Sequence, residues 1–492
     1  MDLHRLLQEQ HFLTRRELLN RAGCGAASLG LAALLDDEGL LSSAARAATP
    51  VQRALDPLEV KQSHFPAKAK NVIWLFINGG PSHVDTWDYK PELAKRDGQE
   101  LEGFDRFTGF FSKAVGGLMK SPFKFTQHGE CGKWVSEIFP HMAQHVDKMA
   151  FIHSGYAKSN NHSPALFMMN TGFTQMGYPC VGSWVTYGLG SESRDLPAFV
   201  VMSDPKGRGL PKGYSLNWGT GFLPSVYQGS WLKPKGNPID NLIPPKELTQ
   251  PRQRAQLDLL RRLNQRHYEQ HETELELAAR IESFELAYRM QSAAPEALAV
   301  EKEPAHIQRL YGMDDERCAH FSHQCLIARR MIERGVRFVQ IYSGGMENQR
   351  SWDGHNDIEG NHRGFALETD KPIAALLADL KQRGLLKETL VIWGGEFGRL
   401  PLAQKAKKPG RDHNPHAFTY WLAGGGAKGG TTYGATDEIG HKAVENRVSV
   451  HDLHATILHL MGLEHKRLTF RHNGRDFRLT DVEGNVITDI LA

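Results

Sequence analysis

The sequence predicts an α/β fold, a mostly parallel sheet with helices on both faces. Short apolar runs, typical of buried strands, alternate along the chain with longer stretches of helical periodicity. Polar clusters follow several of these runs directly, as expected when functional loops follow the carboxyl ends of parallel strands. The 492 residues, 40% of them hydrophobic, suffice for one large domain with insertions or for two domains.

The first 48 residues are expected to be a signal peptide. Residues 14–19 contain Arg15 and Arg16 and resemble a twin-arginine export signal, which the apolar residues 22–35 follow. Ala45-Arg-Ala47 then offers a small-x-small cleavage site. An amphipathic N-terminal helix is the alternative interpretation. The apolar stretch is too short to span a membrane, so we expect no membrane span in the mature protein. The export signal predicts that the mature protein is periplasmic or secreted.

The rest of the chain is expected to be a linker and one domain. Residues 49–70, with their prolines and lysines, are the predicted linker, and residues 71–492 are the domain. Residues 204–247 show little periodicity and predict a long loop, either a lid or a surface decoration. Residues 248–335 predict a mainly helical insertion.

The stretch after the linker carries the strongest strand signal. Asn71–Ile77 is an almost unbroken apolar run that ends at Gly79-Gly80-Pro81, so we expect a strand buried on both faces. Asn78, His83 and Asp85 follow it as candidate metal ligands, although a tight turn and a solvated loop would give the same pattern. Further strands are predicted at residues 149–154, 198–203, 337–342, 389–393 and 417–422, and helices at 135–149, 164–172, 248–290, 319–335, 371–383 and 451–461.

Four further polar clusters adjoin these strands. Asn160-Asn161-His162-Ser163 precedes a helix, whose N-terminus favours anions. Asp353 with His355, and Glu396, follow strands, whereas Asp412 and His413 precede one and must reach the edge as a loop. An Asp or His after a strand more often caps a turn than binds a metal. Their recurrence at one sheet edge nevertheless predicts a metal or anion site, because carboxylates and imidazoles from separate strands suit metal-assisted hydrolysis.

Several motifs together resemble the superfamily of alkaline phosphatases and sulfatases, and more closely the exported bacterial family called domain of unknown function 1501. Residues 71–79 are similar to the opening strand of sulfatases, and residues 162–172 match the frame of their nucleophile motif. Gly395-Glu-Phe-Gly398 falls where the superfamily has Ser-Asp-His-Gly, and residues 451–462 resemble its closing helix. The resemblance implies an alkaline-phosphatase-like core and a metal-dependent hydrolase of phosphate or sulfate esters.

The departures from that superfamily leave three hypotheses. Asn78 and Gly79 replace its first aspartate pair, His162 stands at the nucleophile position, and Phe397 replaces a metal-binding His. Without a cysteine there, formylglycine chemistry is not expected. In the first hypothesis His162 or Ser163 is the nucleophile. In the second, His162 is a metal ligand and a metal-activated water attacks the ester. In the third, the protein is a non-catalytic exported binding or scaffold module.

The expected cofactor is a divalent metal: zinc, manganese, iron or calcium. The candidate ligands are Asp353, His355, Glu396, Asp412, His413, Asn78, His83 and Asp85. Candidate substrate-binding residues are Lys158, Asn161, Arg399, Arg411 and His416, with surface salt bridges as the alternative role of the charged side chains. The expected partner is a small anionic ester or a sulfated or phosphorylated glycan. The net charge of +3 gives no reason to expect nucleic acid.

Overall fold

The computed structural model describes residues 57–233, 237–240, 242–245, 247–270 and 275–492. The twin-arginine signal expected in residues 1–48 lies outside these described residues and stays a prediction. Part of the expected linker is packed on the domain: the backbone N–H of Lys61 donates to the Leu189 carbonyl (3.0 Å) and that of Ala69 to the Leu460 carbonyl (2.8 Å). This part therefore belongs to the folded unit and is not a free linker.

A nine-stranded sheet organises the described residues and confirms the α/β fold class. Its strands are β1 (Asn71–Ile77), β2 (Met149–Tyr156), β3 (Phe199–Met202), β4 (Ser230–Leu232), β5 (Phe338–Ser343), β6 (Thr389–Gly394), β7 (Phe418–Ala423), β8 (Thr431–Tyr433) and β9 (Val448–Ser449). Their order is β8-β2-β7-β6-β1-β5-β3-β4, and β9 also pairs with β2. Six pairings are parallel, and β7 runs antiparallel to both of its neighbours, β2 and β6.

Helices cover both faces of this sheet. They are α1 (His162–Thr171), α2 (Val181–Leu189), α3 (Gln250–Gln270), α4 (Leu275–Leu298), α5 (Ala305–Tyr311), α6 (Ala319–Glu333), α7 (Ile358–Gln382) and α8 (Val450–Leu460), with short helices at His83–Thr86 and Pro91–Lys95. No helix among the described residues is both long and apolar enough to cross a bilayer.

The central strand β1 lies between two hydrophobic cores, which explains why it is apolar at nearly every position. Ile73, Leu75 and Ile77 point into a core shared with helices α4 to α7. The intervening residues, among them Trp74 and Phe76, point into a second core shared with α1, α2 and α8. Because successive side chains of a strand alternate between its faces, a strand between two cores needs apolar residues at both parities.

Short two-stranded ladders join the loops at the margins of the sheet. They pair Val115–Leu118 with Leu402–Gln404, Phe125–His128 with Lys133–Ser136, Gly398–Arg399 with His413–Asn414, Ala435–Thr436 with Ala443–Glu445, and Phe470–His472 with Arg475–Phe477.

The described part of the expected long loop at residues 204–247 contains secondary structure. It contains β4 at the edge of the sheet, and ion pairs attach its first part to α7. The Lys206 ammonium and the Arg208 guanidinium both bind the Glu368 carboxylate, which is 8% exposed and also lies 3.2 Å from His320 Nε2.

This ion-pair cluster predicts a loss of stability in acid. Burial raises the pKa of Glu368, but hydrogen bonds from His320, Arg208 and Lys206 outweigh burial and lower the pKa to about 2. A carboxyl group whose pKa is lower in the folded than in the unfolded chain stabilises the fold above its ordinary pKa of about 4.5. That stability, about 3 kcal/mol, is lost as the pH falls from there towards 2.

We therefore expect Glu368→Gln to lower the free energy of unfolding by about 3 kcal/mol at pH 7 and to flatten its dependence on pH below 4.5. Urea titrations between pH 3 and 7 measure both effects. Glu359→Gln is the matched control, because Glu359 lies on the same helix in an exposed pair with Arg363 and is expected to change stability by less than about 0.5 kcal/mol. Equal effects of the two substitutions would contradict the role of Glu368.

Candidate metal centre

The loops that carry the predicted ligands meet at one edge of the sheet. The segments after β1, β2, β5 and β6 leave the carboxyl ends of parallel strands, which share that edge. Since β7 is antiparallel, the loop before it reaches the same edge. The strand direction thus brings Asp412 and His413 to the site although they precede a strand.

Four buried residues form a potential metal-binding group: His162, Asp353, His355 and His413. Each offers one ligand atom, and the four atoms lie within 4.8 Å of one another. The Nε2 atoms of the three histidines surround the Asp353 carboxylate, at 3.4 Å for His162, 2.9 Å for His355 and 3.3 Å for His413. All four residues are at most 5% exposed.

Each imidazole is oriented by an oxygen that accepts a hydrogen bond from its Nδ1–H group. His162 donates to Glu396 Oε1 (2.7 Å), His355 to Gln404 Oε1 (2.7 Å) and His413 to the Asn160 carbonyl (2.6 Å). With the proton on Nδ1, a neutral ring keeps a lone pair on Nε2, which points into the cluster. Histidine metal ligands are held by their other nitrogen in this way.

The elements fix these partners locally. His162 is the first residue of α1, whose N-cap is Asn161: the Asn161 Oδ1 atom accepts the Ser163 N–H (3.2 Å). Glu396 is itself held by the backbone N–H of Gly79, at 3.0 and 3.2 Å from its two carboxylate oxygens. The loop after β1 therefore positions His162 through Glu396.

Charge within the cluster favours a cation. Asp353, Glu396 and Asp412 are buried carboxylates, and the guanidinium of Arg399, 2.7 Å from Asp353 Oδ1, is the buried cation beside them. With neutral imidazoles, three carboxylates against one guanidinium leave two negative charges uncompensated. Uncompensated charges are costly in a protein interior, and a divalent cation would neutralise both.

The pKa shifts of the surrounding side chains agree with this charge. Burial lowers the pKa of His162, but Asp353 and Glu396 beside the ring outweigh burial and raise the pKa to about 9. Burial raises the pKa of Asp353, but Arg399 and the surrounding imidazoles hold it well below its usual range. Burial and the neighbouring His162 lower the pKa of His413, so that ring is neutral, as a metal ligand must be.

A buried nitrogen atom without a hydrogen-bond partner also supports a metal at this site. The Nε2 atom of His162 is buried, and the nearest carboxylate oxygen, Asp353 Oδ2, lies 3.4 Å away, outside normal hydrogen-bond geometry. Leaving a buried polar atom without a close partner is unfavourable. A divalent cation bound by the three Nε2 atoms and Asp353 would satisfy it, so the donor set, the buried charge and the orphaned atom all fit a metal centre.

Five predicted ligands lie outside this group of four. The Glu396 carboxylate holds His162, and the Asp412 carboxylate accepts the N–H groups of His413 (2.7 Å) and Phe111 (2.6 Å). Asn78 donates its amide to the Gly345 carbonyl, and its Oδ1 atom is buried without a hydrogen-bond partner. These three residues therefore supply none of the four ligand atoms.

His83 and Asp85 do not reach the centre, which corrects the prediction that they are metal ligands. Their short helix turns His83 Nε2 towards the Gly440 carbonyl (2.7 Å). The Asp85 carboxylate forms a bidentate pair with Arg411, at 2.6 and 3.2 Å, and its charge is already compensated there.

The two arginines predicted to bind substrate have structural roles instead. Both are fully buried. Arg399 donates to the carbonyls of Gly79, Gly80 and Arg411 and to Asp353, and Arg411 donates to Asp85 and to backbone carbonyls. Arg399 thus holds Asp353 in place, and neither side chain is exposed to a substrate.

The remaining candidates are not among the four ligand residues. The Lys158 ammonium pairs with Glu483 (2.6 Å) and is about half exposed. Ser163 follows His162 on α1 and is half-buried, while His416 is half-buried with its ring 6.2 Å from that of His441. Gln404 was not predicted, because a lone glutamine in the sequence carries no signal of the histidine that it orients.

Comparison with known proteins assigns the family. A family model described as "Protein of unknown function (DUF1501)" matches residues 69–491. The chain belongs to the DUF1501 family. No curated protein matches the sequence of this DUF1501 protein.

Solved structures with similarity to this DUF1501 protein include three hydrolases. The PsFucS1 sulfatase from Pseudoalteromonas sp. is 12% identical, with 85% of this chain and 72% of the sulfatase covered and a TM-score of 0.35. The phosphonate monoester hydrolase SpPMH from Silicibacter pomeroyi is 11% identical, with 80% and 73% covered and a TM-score of 0.35. The alkaline phosphatase from the Antarctic bacterium TAB5 is 10% identical, with 80% and 98% covered and a TM-score of 0.33. Similarity at this level assigns no reaction or substrate to this chain.

Proposed function

We propose that this DUF1501 protein is an exported metal-dependent hydrolase of phosphate or sulfate esters. One observation carries the proposal: three imidazoles, each held at Nδ1 by an oxygen, direct their Nε2 atoms at one buried carboxylate. Export rests on the twin-arginine pattern of residues 14–19. The substrate class rests on the resemblance of the loops to alkaline phosphatases and sulfatases.

The ligand set narrows the choice of metal. Three nitrogen ligands and one carboxylate suit zinc, manganese or iron, whereas calcium takes six to eight oxygen ligands. When bound, such a cation would supply Lewis-acid chemistry, because it lowers the pKa of water and neutralises charge that builds on a phosphoryl or sulfuryl oxygen. Of the four metals expected from the sequence, calcium fits these residues least.

The chain's own residues would prepare the centre for this chemistry. Asp353, held ionised by Arg399, supplies the anionic ligand. Glu396 accepts a hydrogen bond from the Nδ1–H group of His162, which makes the Nε2 atom of that ring a stronger electron-pair donor to a metal. The burial of all four ligand residues excludes most water, so electrostatic interactions inside the centre are stronger than in solution.

His162 is assigned here as a ligand and not as a nucleophile. Its Nδ1 atom is occupied by Glu396, and its Nε2 atom lies among the other ligand atoms. This favours the hypothesis in which water attacks the ester without a covalent enzyme intermediate. Ser163 is not part of the group, and its backbone N–H caps α1 through Asn161.

The number of ligands favours one alternative, an exported scaffold with a structural metal. Four protein ligands complete a tetrahedral zinc site and leave no position for a substrate, as in structural zinc centres. Manganese and iron bind five or six ligands and would keep one or two positions open. The identity of the metal therefore bears directly on the choice between hydrolase and scaffold.

Elemental analysis and an ester screen on the same sample test the proposal. We expect the protein purified after export to hold about one equivalent of manganese, iron or zinc. We also expect it to hydrolyse a p-nitrophenyl ester of phosphate, sulfate or phenylphosphonate, and a chelator should abolish that activity. Protein without metal even after incubation with each cation would refute the metal centre. Bound metal without turnover of any ester or glycan sulfate would establish the scaffold.

A further inference from the structure

Two exposed phenylalanines on one loop, Phe110 and Phe111, border the metal centre, and we call them the aromatic rim. They are 50% and 42% exposed, and Phe107 on the same loop is 79% exposed. Large apolar side chains exposed side by side on one surface are uncommon unless something binds there. Nothing in the metal centre itself requires these exposed rings.

The rim is in direct contact with two metal-ligand histidines. The ring of Phe111 stands edge-on to that of His355, with 4.9 Å between centroids and an interplanar angle of 90°. The ring of Phe110 lies 5.7 Å from that of His413. A molecule bound at the metal beside these two histidines would therefore meet both phenyl rings.

Hydrogen bonds attach the backbone of the loop that carries the rim to residues beside the metal centre. The Phe111 N–H donates to Asp412 Oδ2 (2.6 Å), and the Asn160 amide donates to the carbonyls of Thr108 (3.1 Å) and Gly109 (3.0 Å). A Cβ atom on Gly109 would lie 2.4 Å from Asp412 Oδ2, so the close approach of this loop requires glycine. Because this backbone is already positioned before a ligand binds, less conformational entropy is lost on binding.

We propose, resting on the function proposed above, that the aromatic rim binds an apolar aryl or alkyl group of the ester and so selects apolar esters. Phenylalanine offers a hydrophobic surface without the polar group of tyrosine or tryptophan. The polar groups beside the rim, the Asn160 amide and both Asp412 oxygens, are occupied by backbone groups. A sugar would find these groups already hydrogen-bonded, whereas a phenyl or alkyl group needs no such partner.

Equilibrium binding to the metal-loaded protein tests the rim without requiring turnover. The probes are methylphosphonate and phenylphosphonate, measured by isothermal titration calorimetry. We expect phenylphosphonate to bind about ten-fold more tightly, because its ring adds hydrophobic contact with the rim. In Phe110→Ser/Phe111→Ser this ratio should fall to about one, while the dissociation constant of methylphosphonate and the metal content change less than two-fold.

Phe107→Ser is the matched control. Phe107 is on the same loop, but of the rings described on this loop only those of Phe110 and Phe111 contact ligand histidines. It should keep most of the preference for phenylphosphonate. Equal binding of the two phosphonates to the wild-type protein would overturn the rim proposal but leave the hydrolase intact. Failure of both probes to bind the metal-loaded protein would overturn the binding of oxyanions at the metal centre, and with it both proposals.

Two other occupants give distinct results that would each overturn the proposal. Glucose 6-phosphate binding more tightly than phenylphosphonate would assign the rim to a glycan. Sedimentation of the wild-type protein, but not of the double variant, with phosphatidylcholine–phosphatidylglycerol vesicles would assign it to a lipid surface.

Discussion

Replacing Asp353 with Asn is expected to reduce the bound metal from about one equivalent to less than about 0.1. The Asp353 carboxylate is the anionic member of the ligand group and lies within 3.4 Å of all three Nε2 atoms. The amide of Asn removes this charge and leaves the buried Arg399 guanidinium to repel a cation. Changes to residues that only orient metal ligands already cost 10- to 100-fold in affinity, so we expect a larger loss here. Elemental analysis by mass spectrometry measures it.

Asp85→Asn is the matched control for this loss. Asp85 is an equally buried carboxylate, and it pairs with Arg411 as Asp353 pairs with Arg399, but it lies outside the ligand group. Breaking either buried pair is expected to destabilise the fold, by about 3 kcal/mol or more. Only the Asp353 variant should lose metal. Retained metal in Asp353→Asn, or equal loss in both variants, would falsify the assigned centre.

The fold could be predicted because each strand and helix is indicated by the pattern of apolar residues within its own segment. Asn71–Ile77 is apolar at both parities, which only a strand between two cores requires, and β1 lies at the centre of the sheet. The convergence of Asp353 and His355 follows from the shared edge of the parallel strands, whereas that of His413 depends on the direction of β7. The direction of β7 could not be read from the sequence, because antiparallel and parallel strands look alike when both are buried.

The roles of individual charged residues could not be predicted, because their partners are distant in sequence. Asp85 looked like a ligand and Arg411 like a substrate contact, but they bind each other across 326 positions. An Asp or an Arg can serve in a binding site or in a buried ion pair. Here the loop before β7 packs against the segment after β1, and this contact forms the ion pair. Glu396 was expected to bind the metal and instead holds His162, since its carboxylate is positioned by the Gly79 N–H.

His162→Ala is expected to weaken metal binding by more than about 100-fold, whereas Ser163→Ala should leave it unchanged. His162 supplies one of the four converging atoms, while Ser163 is outside the group. Glu396→Gln should cost between 10- and 100-fold, because it removes the carboxylate that orients His162. Competition with a chelator of known affinity measures all three constants.

These variants separate a ligand from a nucleophile. If His162 were the nucleophile alone, His162→Ala would lose turnover but keep its metal affinity, and a nucleophilic Ser163 would show the same pattern in Ser163→Ala. A double-mutant cycle then tests whether Glu396 acts through His162. Because Glu396 contacts the ligand group by way of the His162 Nδ1 atom, Glu396→Gln should have little further effect on metal affinity once His162 is Ala. Additive losses would instead mean that the Glu396 carboxylate contributes to the metal directly, as its sequence position after β6 first predicted.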